Sequence, residues 1–326
     1  MILPYLLRLL CLCFASFFAL NVAAGVLVRI SAKSAIRFAE SRTPRFAASF
    51  LLVLRMLPFV LATLFVFVLC VPSYLWLEPA TTSERVGVLC ALFGLLGFAT
   101  WSVSITRTIH SLISSLRHNR LCQRVGQEMR LPGDSSLLVV VESEAPLLAL
   151  SGLLRPRLLI SRSVLRNLSA EELAAALRHE HAHRTSRDNA KRLLIILAPD
   201  IFPLFRSFQL LEGTWSKFAE WAADDEAAAG DSSRAVSLAA ALVQVARMGS
   251  APRLPYLSTS LLACDRDLSA RVDRLLHAIP VARAHTKPAH HWLRTAGFLL
   301  AGCLAALLLA PSALFSVHEL LELLLR

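Results

Sequence analysis

Residues 169–189 read Ser169-Ala-Glu-Glu-Leu-Ala-Ala-Ala-Leu-Arg-His179-Glu180-His181-Ala182-His183-Arg-Thr-Ser-Arg-Asp-Asn189, and this stretch decides how the chain is read. Ser169 followed three positions later by Glu172 is a capping-box signature, so a helix is predicted to begin at about Ala170. On that helix His179 and His183 lie four residues apart and therefore on one face, where two imidazoles can aim at a single ion. Glu180 sits beside the first of them, placed to polarise a metal-bound water rather than to bind the metal. This H-E-x-x-H pattern implies a zinc hydrolase. His181 falls on the opposite face and reads as a surface or packing residue.

Such a site needs a third protein ligand, and Glu220-Trp-Ala-Ala-Asp224, on a second helical stretch, supplies carboxylates. Asp224 follows Glu220 by about one turn on the same face, where it can accept a hydrogen bond from a liganding imidazole and fix its tautomer. Asp225 and Glu226 are rival carboxylates, and residue types alone leave the choice open. A further helix is predicted at about residues 268–277. It carries Arg271 and His277, either of which reads as a candidate oxyanion stabiliser or as a helix-surface charge.

With 56% hydrophobic and only 17% charged residues in 326, and a mean hydropathy of +0.57, the chain is too apolar for an ordinary soluble enzyme. Residues 9–28, 56–77, 86–105 and 295–316 each lack Lys, Arg, Asp and Glu, and each meets the bilayer requirement of about 20 apolar residues. The first run is longer than a signal-peptide core and basic residues follow it directly, so an uncleaved anchor is expected. Arg29, Lys33, Arg37, Arg42 and Arg45 follow the first span, and Arg107, Arg117, Arg120, Arg124 and Arg130 follow the third. The loop between spans two and three has only Arg85. That asymmetry predicts an inner-membrane protein with residues 106–294 in the cytoplasm and the N-terminus and residues 317–326 outside.

The net charge of +11 then reflects topology and contact with anionic lipid headgroups, and without a recognised motif no direct nucleic-acid binding is predicted. Five of the seven cysteines fall in the spans, and Cys122 and Cys264 are isolated, so no disulfide is predicted.

Residues 106–130 read as a basic helical extension of the third span. Residues 136–141, 146–150 and 157–160 have strand character and fit a β-hairpin or a three-stranded sheet, whose edge could hydrogen-bond an extended substrate. Residues 193–205 are apolar but interrupted by Pro199, Asp200 and Pro203, and as a helix would reach only about 20 Å, short of a bilayer core of about 30 Å. One crossing there would also put Glu220 on the opposite side from His179 and His183. A membrane-associated hairpin near residues 193–211 is therefore predicted.

The fold class expected is a mainly α, polytopic membrane protein. It has a membrane domain over 1–105, a cytoplasmic zinc peptidase domain over 106–294, a fourth span over 295–316 and a short tail. His285, His290 and His291 read as a hydrated cap on the fourth span.

Gly152-Leu-Leu-Arg-Pro-Arg-Leu-Leu-Ile160, Leu168-Ser-Ala-Glu-Glu-Leu173, Arg178-His-Glu-His-Ala-His183, Ser186-Arg-Asp-Asn189, Phe202-Pro-Leu204 and Glu220 to Asp224 resemble integral-membrane metallopeptidases of the BlaR/MecR antirepressor type. These are the β-lactam sensor-transducers and their relatives, and the resemblance covers about residues 100–280. It implies a gluzincin-type domain with His179, His183 and Glu220 as ligands to one Zn2+ per chain, Glu180 as general base and Asp224 behind an imidazole. The family's H-E-L-A-H has Leu where His181 stands, at a position that does not touch zinc.

The resemblance further implies a protein substrate such as a cytoplasmic repressor, with self-cleavage in a cytoplasmic loop. The sensor-transducers carry a penicillin-binding domain after the fourth span, whereas this chain ends at Arg326. The expectation is that a signal comes from a separate sensor protein, from the short loop at residues 78–85 or from the bilayer. Membrane quality control or maturation, and a non-catalytic signalling role, are the other functions the pattern allows.

Overall fold

The computed structural model describes residues 4–78, 86–130, 137–153, 156–201, 206–249, 255, 257–261, 267–277, 312, 314–317 and 319. The predicted fourth span lies largely outside the described residues, as do His285, His290, His291 and Cys264.

Among the described residues, three helices are long and apolar enough to cross a membrane: Tyr5–Glu40, Pro44–Leu77 and Val88–Val125. The first, α1 (Tyr5–Glu40), continues well past the apolar run. Arg29, Lys33 and Arg37, expected in a loop, lie on its last turns, because a change from apolar to basic side chains ends a span without ending a helix. Thr43 precedes α2 (Pro44–Phe65), whose Pro44 is pre-set for the first helical turn. A π-helical turn, Val66–Cys70, then leads into α3 (Val71–Leu77). Pro72 explains the widened turn, since its ring crowds the carbonyl four residues back and it has no N–H to donate.

The third long helix, α4 (Val88–Val125), packs closely along α1. A Cβ added at Gly97 would clash with the Phe14 carbonyl oxygen, and one at Gly94 would come within 2.9 Å of Cys11 Sγ. The Gly94/Gly97 face is thus what lets two membrane-type helices meet backbone to backbone.

The sheet has five strands among the described residues, in the order β1-β2-β4-β3-β5: β1 (Gln127–Arg130), β2 (Leu137–Val141), β3 (Leu148–Ser151), β4 (Arg157–Ser161) and β5 (Ser258–Ser260). β2 runs parallel to β4, and the other pairs are antiparallel. The three apolar strands are those expected. The two edge strands are not: residues 127–130, assigned to a helical extension, pair with β2, and Ser258–Ser260 returns from far along the chain to pair with β3. Both are short and polar, so neither carries the apolar alternation by which strands are recognised.

After α5 (Arg162–Asn167) comes α6 (Ala170–Ser186), opened by the anticipated capping box: Ser169 Oγ accepts from the Glu172 N–H at 3.2 Å and Glu172 Oε2 from the Ser169 N–H at 2.8 Å. Arg187, at φ 54° and ψ 42°, breaks the helix, and α7 (Asp188–Leu197) leaves in a new direction. Then follow α8 (Gln209–Ala228), α9 (Ser232–Arg247), capped by the Asp231 carboxylate, and α10 (Leu268–Leu276).

Two apolar cores meet on α8. Leu211, Trp215 and Phe218 pack with Val28 and Ala32 of α1 and Ala48 and Leu51 of α2. Further along, Ala227 and Ala228 join the core formed by the sheet, α6, α9 and Leu275 of α10. Residues 219–224 therefore lie where the long helices join the sheet domain.

The turn after α7 is fixed by polar groups from the long helices. Asn21 Nδ2 donates to the Asp200 carbonyl at 3.1 Å, and Ser104 Oγ lies 3.0 and 2.6 Å from the carbonyls of Ile196 and Leu197. Arg55 Nη2 donates to the Ala198 carbonyl at 2.9 Å, so the open end of α7 is capped by side chains of α1, α2 and α4.

Candidate metal centre

His179 and His183 face the same way on α6, with Nε2 atoms 3.2 Å apart. Glu220, brought in by α8, puts Oε2 at 3.4 Å from His179 Nε2 and 3.5 Å from His183 Nε2. All three residues are buried, and they form the one group of His, Cys, Asp and Glu among the described residues that could hold a metal ion.

The triangle can be tested against coordination chemistry. Tetrahedral ligands about 2.0–2.1 Å from one ion stand about 3.4 Å apart, which matches all three sides. Neither Glu220 oxygen has a hydrogen-bond partner, although the residue is only 1% exposed. A buried acceptor without a donor is costly, and a cation at the triangle would satisfy it.

Each imidazole is held from behind. Asp224 Oδ1 lies 3.0 Å from His179 Nδ1, and Asp188 Oδ2 lies 2.7 Å from His183 Nδ1, so a proton on each Nδ1 leaves the Nε2 lone pair facing inward. Asp188 opens α7 directly after Arg187, whose left-handed conformation turns its side chain back under α6. Lys191 Nζ donates to the other Asp188 oxygen at 2.7 Å. Asp188 had no role in the sequence reading. The only signal for it was the Ser186-Arg-Asp-Asn189 motif, and Asn189 of that motif ties α7 to β3 by donating to the carbonyls of Leu150 and Gly152.

Of the rival carboxylates, Asp225 pairs with Arg274 and Glu226 is exposed, and both fall outside the cluster. His181 is exposed across the helix. Arg271 is 1% exposed and turned onto the cluster: Nε and Nη2 donate to the two Asp224 oxygens at 2.9 and 2.7 Å, and Nη1 donates to the Leu261 carbonyl at 2.9 Å. Its Nη1 also lies 3.3 Å from Glu220 Oε2. His277 is exposed at the end of α10, with Nδ1 at 2.8 Å from the Asp273 carbonyl.

Glu180, like Glu220, is 1% exposed with both carboxylate oxygens free of hydrogen bonds, but it stands outside the ligand triangle. Burial raises its pKa and the Glu220 charge adds to this; against the opposing pull of His179, His183 and Arg271, it settles at about 7. Burial would also raise Glu220, but the charge of His183, the nearness of both imidazoles to Oε2 and the Arg271 charge hold it well below the carboxylate range. For His183 burial acts downward, and the Glu220 charge with the Asp188 hydrogen bond overcomes it, to about 10. His179 is raised in the same way by Asp224 and Glu220. The pull on imidazole protons is the pull a divalent cation would take over.

Stability in the absence of metal should therefore fall with rising pH. The stabilisation from a His183 proton is complete below the ordinary 6.5 and is lost as pH climbs through about 10. Glu180 acts in the same direction between 4.5 and about 7. A metal ion requires neutral imidazoles and displaces those protons, so metal-loaded protein should not show the alkaline loss. Thermal unfolding with and without chelator from pH 6.5 to 10 reads the difference; a rising midpoint in the chelated sample would contradict it.

Two buried histidines on one helix, a glutamate from a second helix and a free carboxylate beside them are the parts of a zincin-like metallopeptidase centre. Residues 115–256 match the model of peptidase family M48, and the matched stretch includes His179, Glu180, His183 and Glu220. No curated protein matches the chain.

Proposed function

We propose that this protein is a zinc-dependent endopeptidase embedded in the inner membrane, with its site at the cytoplasmic face, cutting a cytoplasmic or membrane-proximal protein. The observation that carries the reading is the His179–His183–Glu220 triangle with unpartnered Glu180 beside it, inside the stretch that matches peptidase family M48. Side chains exposed on the three long helices, such as Leu10, Phe67, Leu95 and Phe98, support the membrane setting, since so large an apolar surface would not face water.

When bound, zinc supplies Lewis acidity, polarising a peptide carbonyl and acidifying water. Glu180 accepts the water proton at a carboxylate oxygen and later delivers it to the departing amide nitrogen, a two-way role that a pKa near 7 suits. Asp188 accepts from His183 Nδ1 and Asp224 lies 3.0 Å from His179 Nδ1, so a carboxylate behind each ring favours the tautomer with its proton on Nδ1. β5 is the edge strand beyond β3 and packs against α6, which suits an extended substrate laid along it.

The resemblance to the BlaR/MecR type favours a transcriptional repressor as substrate, with self-cleavage and a separate sensor protein as further elements of a signalling pathway. Comparison of peptide termini in cells expressing wild type and Glu180→Gln tests the function. Fragments present only with wild type are expected, and their complete absence, with both chains expressed and metal-loaded, would sink the proteolytic reading. A DNA-binding protein retained by Glu180→Gln supports signalling; misfolded membrane proteins retained in its place would point to quality control.

A further inference from the structure

A polar cavity of about 280 Å³ lies between the long helices and the α7–α8 connection, away from the metal centre. Arg55, Arg107 and Arg206 line it together with Asp200 and Glu212, so three guanidinium groups face two carboxylates and leave an excess positive charge. Arg55 is the deepest of these, with its side chain 3% exposed. Its Nε donates to Glu212 Oε1 at 2.9 Å and its Nη2 to the Ala198 carbonyl. Nη1 is buried without any acceptor among the described residues. Nη2 is committed to backbone carbonyls, and Asp200 and Glu212 pair with the arginines around them. It is therefore the one unmet nitrogen, Nη1, together with the third positive charge, that marks the cavity as a site for an anion.

The position of the cavity narrows the kind of anion. Arg55 stands immediately before the apolar run 56–77, and Arg107 stands two residues after the run 86–105 ends. Thr100, Ser104 and Ser111 give the α4 wall a polar lining over the same turns. Two spans therefore end at this level with an arginine each, the depth at which a bilayer presents phosphate groups. Arg107 and Arg206 are 42% and 59% exposed, so the outer rim is open to a headgroup while Arg55 waits at the base.

We propose that this cavity binds the phosphate of an anionic membrane phospholipid, with Arg55 Nη1 as the inner donor and Arg107 and Arg206 as the outer clamp. The inference rests on the reading that the long helices cross a membrane. Occupancy has a route to the metal centre, because Arg55 also holds the Ala198 carbonyl and Glu212 near the start of α8, the helix that carries Glu220.

The test uses the full chain in an uncharged detergent, titrated separately with phosphatidylglycerol, phosphatidylcholine and inorganic phosphate. Lipid retention is followed by native mass spectrometry and stability by thermal unfolding. Phosphatidylglycerol is expected to bind saturably and raise the unfolding midpoint. An Arg107→Gln/Arg206→Gln double variant should need at least tenfold more of it while keeping the lipid-free midpoint, since both side chains are substantially exposed.

Equal phosphatidylglycerol retention by wild type and the double variant overturns the site. Saturation by phosphatidylcholine or inorganic phosphate at the same concentrations overturns the choice of an anionic lipid. Alkaline carbonate extraction of cell membranes separates the underlying premise: a chain that washes off removes the membrane reading itself, whereas a retained chain with unchanged lipid binding in the variant removes only the lipid site.

Discussion

Glu180→Gln is expected to lower peptide-bond hydrolysis by roughly 10²- to 10⁴-fold, the usual contribution of a positioned general base, while metal content stays at that of wild type. The separation is possible because Glu180 holds nothing in place: neither carboxylate oxygen makes a hydrogen bond, and the three facing donor atoms belong to His179, His183 and Glu220. The variant should also be no less stable. Burial makes the ionised form of Glu180 unfavourable, so between pH 4.5 and about 7 the folded chain keeps a proton that the unfolded chain has lost. Stability from this residue therefore declines as pH rises through that window, and a neutral amide does not share the decline. Metal analysis, an unfolding midpoint and turnover of an unfolded protein substrate check all three statements. Metal lost together with activity would mean that Glu180 supports the site's structure rather than its chemistry.

Rules that act over one or two helical turns made the centre of the site readable. Ser169 and Glu172 mark the start of α6, and a spacing of four brings His179 and His183 to one face, whatever the rest of the chain does. Glu220 is different: Asp225 and Glu226, within seven residues of it on α8, are rival carboxylates. The choice is made by packing, because Leu211, Trp215 and Phe218 seat one face of α8 on α1 and α2, and this turns Glu220 and Asp224 inward. Asp188 depends on a left-handed Arg187, a backbone conformation uncommon outside glycine and without a pattern of its own. Hydropathy located the long helices but not the end of α1, which runs on through basic turns; the basic extension expected of the third span is present as far as Val125, and β1 and β5 exist only as partners of longer apolar strands. Arg55 was not singled out, and Arg271 stood only as a candidate oxyanion stabiliser or surface charge, for one reason: a charge next to an apolar run or on a short amphipathic helix reads as solvated until the acids that bury it are seen.

The largest loss of stability is expected from Arg271→Met, about 3–5 kcal/mol, the cost of removing one partner from a buried ion pair. Asp224 is the residue left behind: fully buried, paired through both oxygens to Arg271, and close to His179. Burial pushes its carboxyl up, and the Arg271 charge with the His179 hydrogen bond holds it down. Without the guanidinium the carboxyl takes up a proton more readily and no longer orients the His179 ring, so metal affinity should fall roughly 10- to 100-fold along with the unfolding midpoint. Arg271→Lys keeps one charge but not the two-pronged grip on Asp224, and should fall between wild type and Met. These readouts separate anchoring from oxyanion stabilisation, since a residue that met only the reacting oxyanion would change turnover and leave midpoint and metal affinity unmoved. The decisive comparison is the double variant Arg271→Met/Asp224→Asn. If the cost is that of a stranded carboxylate, removing its charge should restore part of the stability lost in Arg271→Met, a coupling that independent sites would not show. A double variant as unstable as the sum of the two single changes would mean that Arg271 stabilises the fold through its other contacts, at the Leu261 carbonyl and beside Glu220, rather than through Asp224.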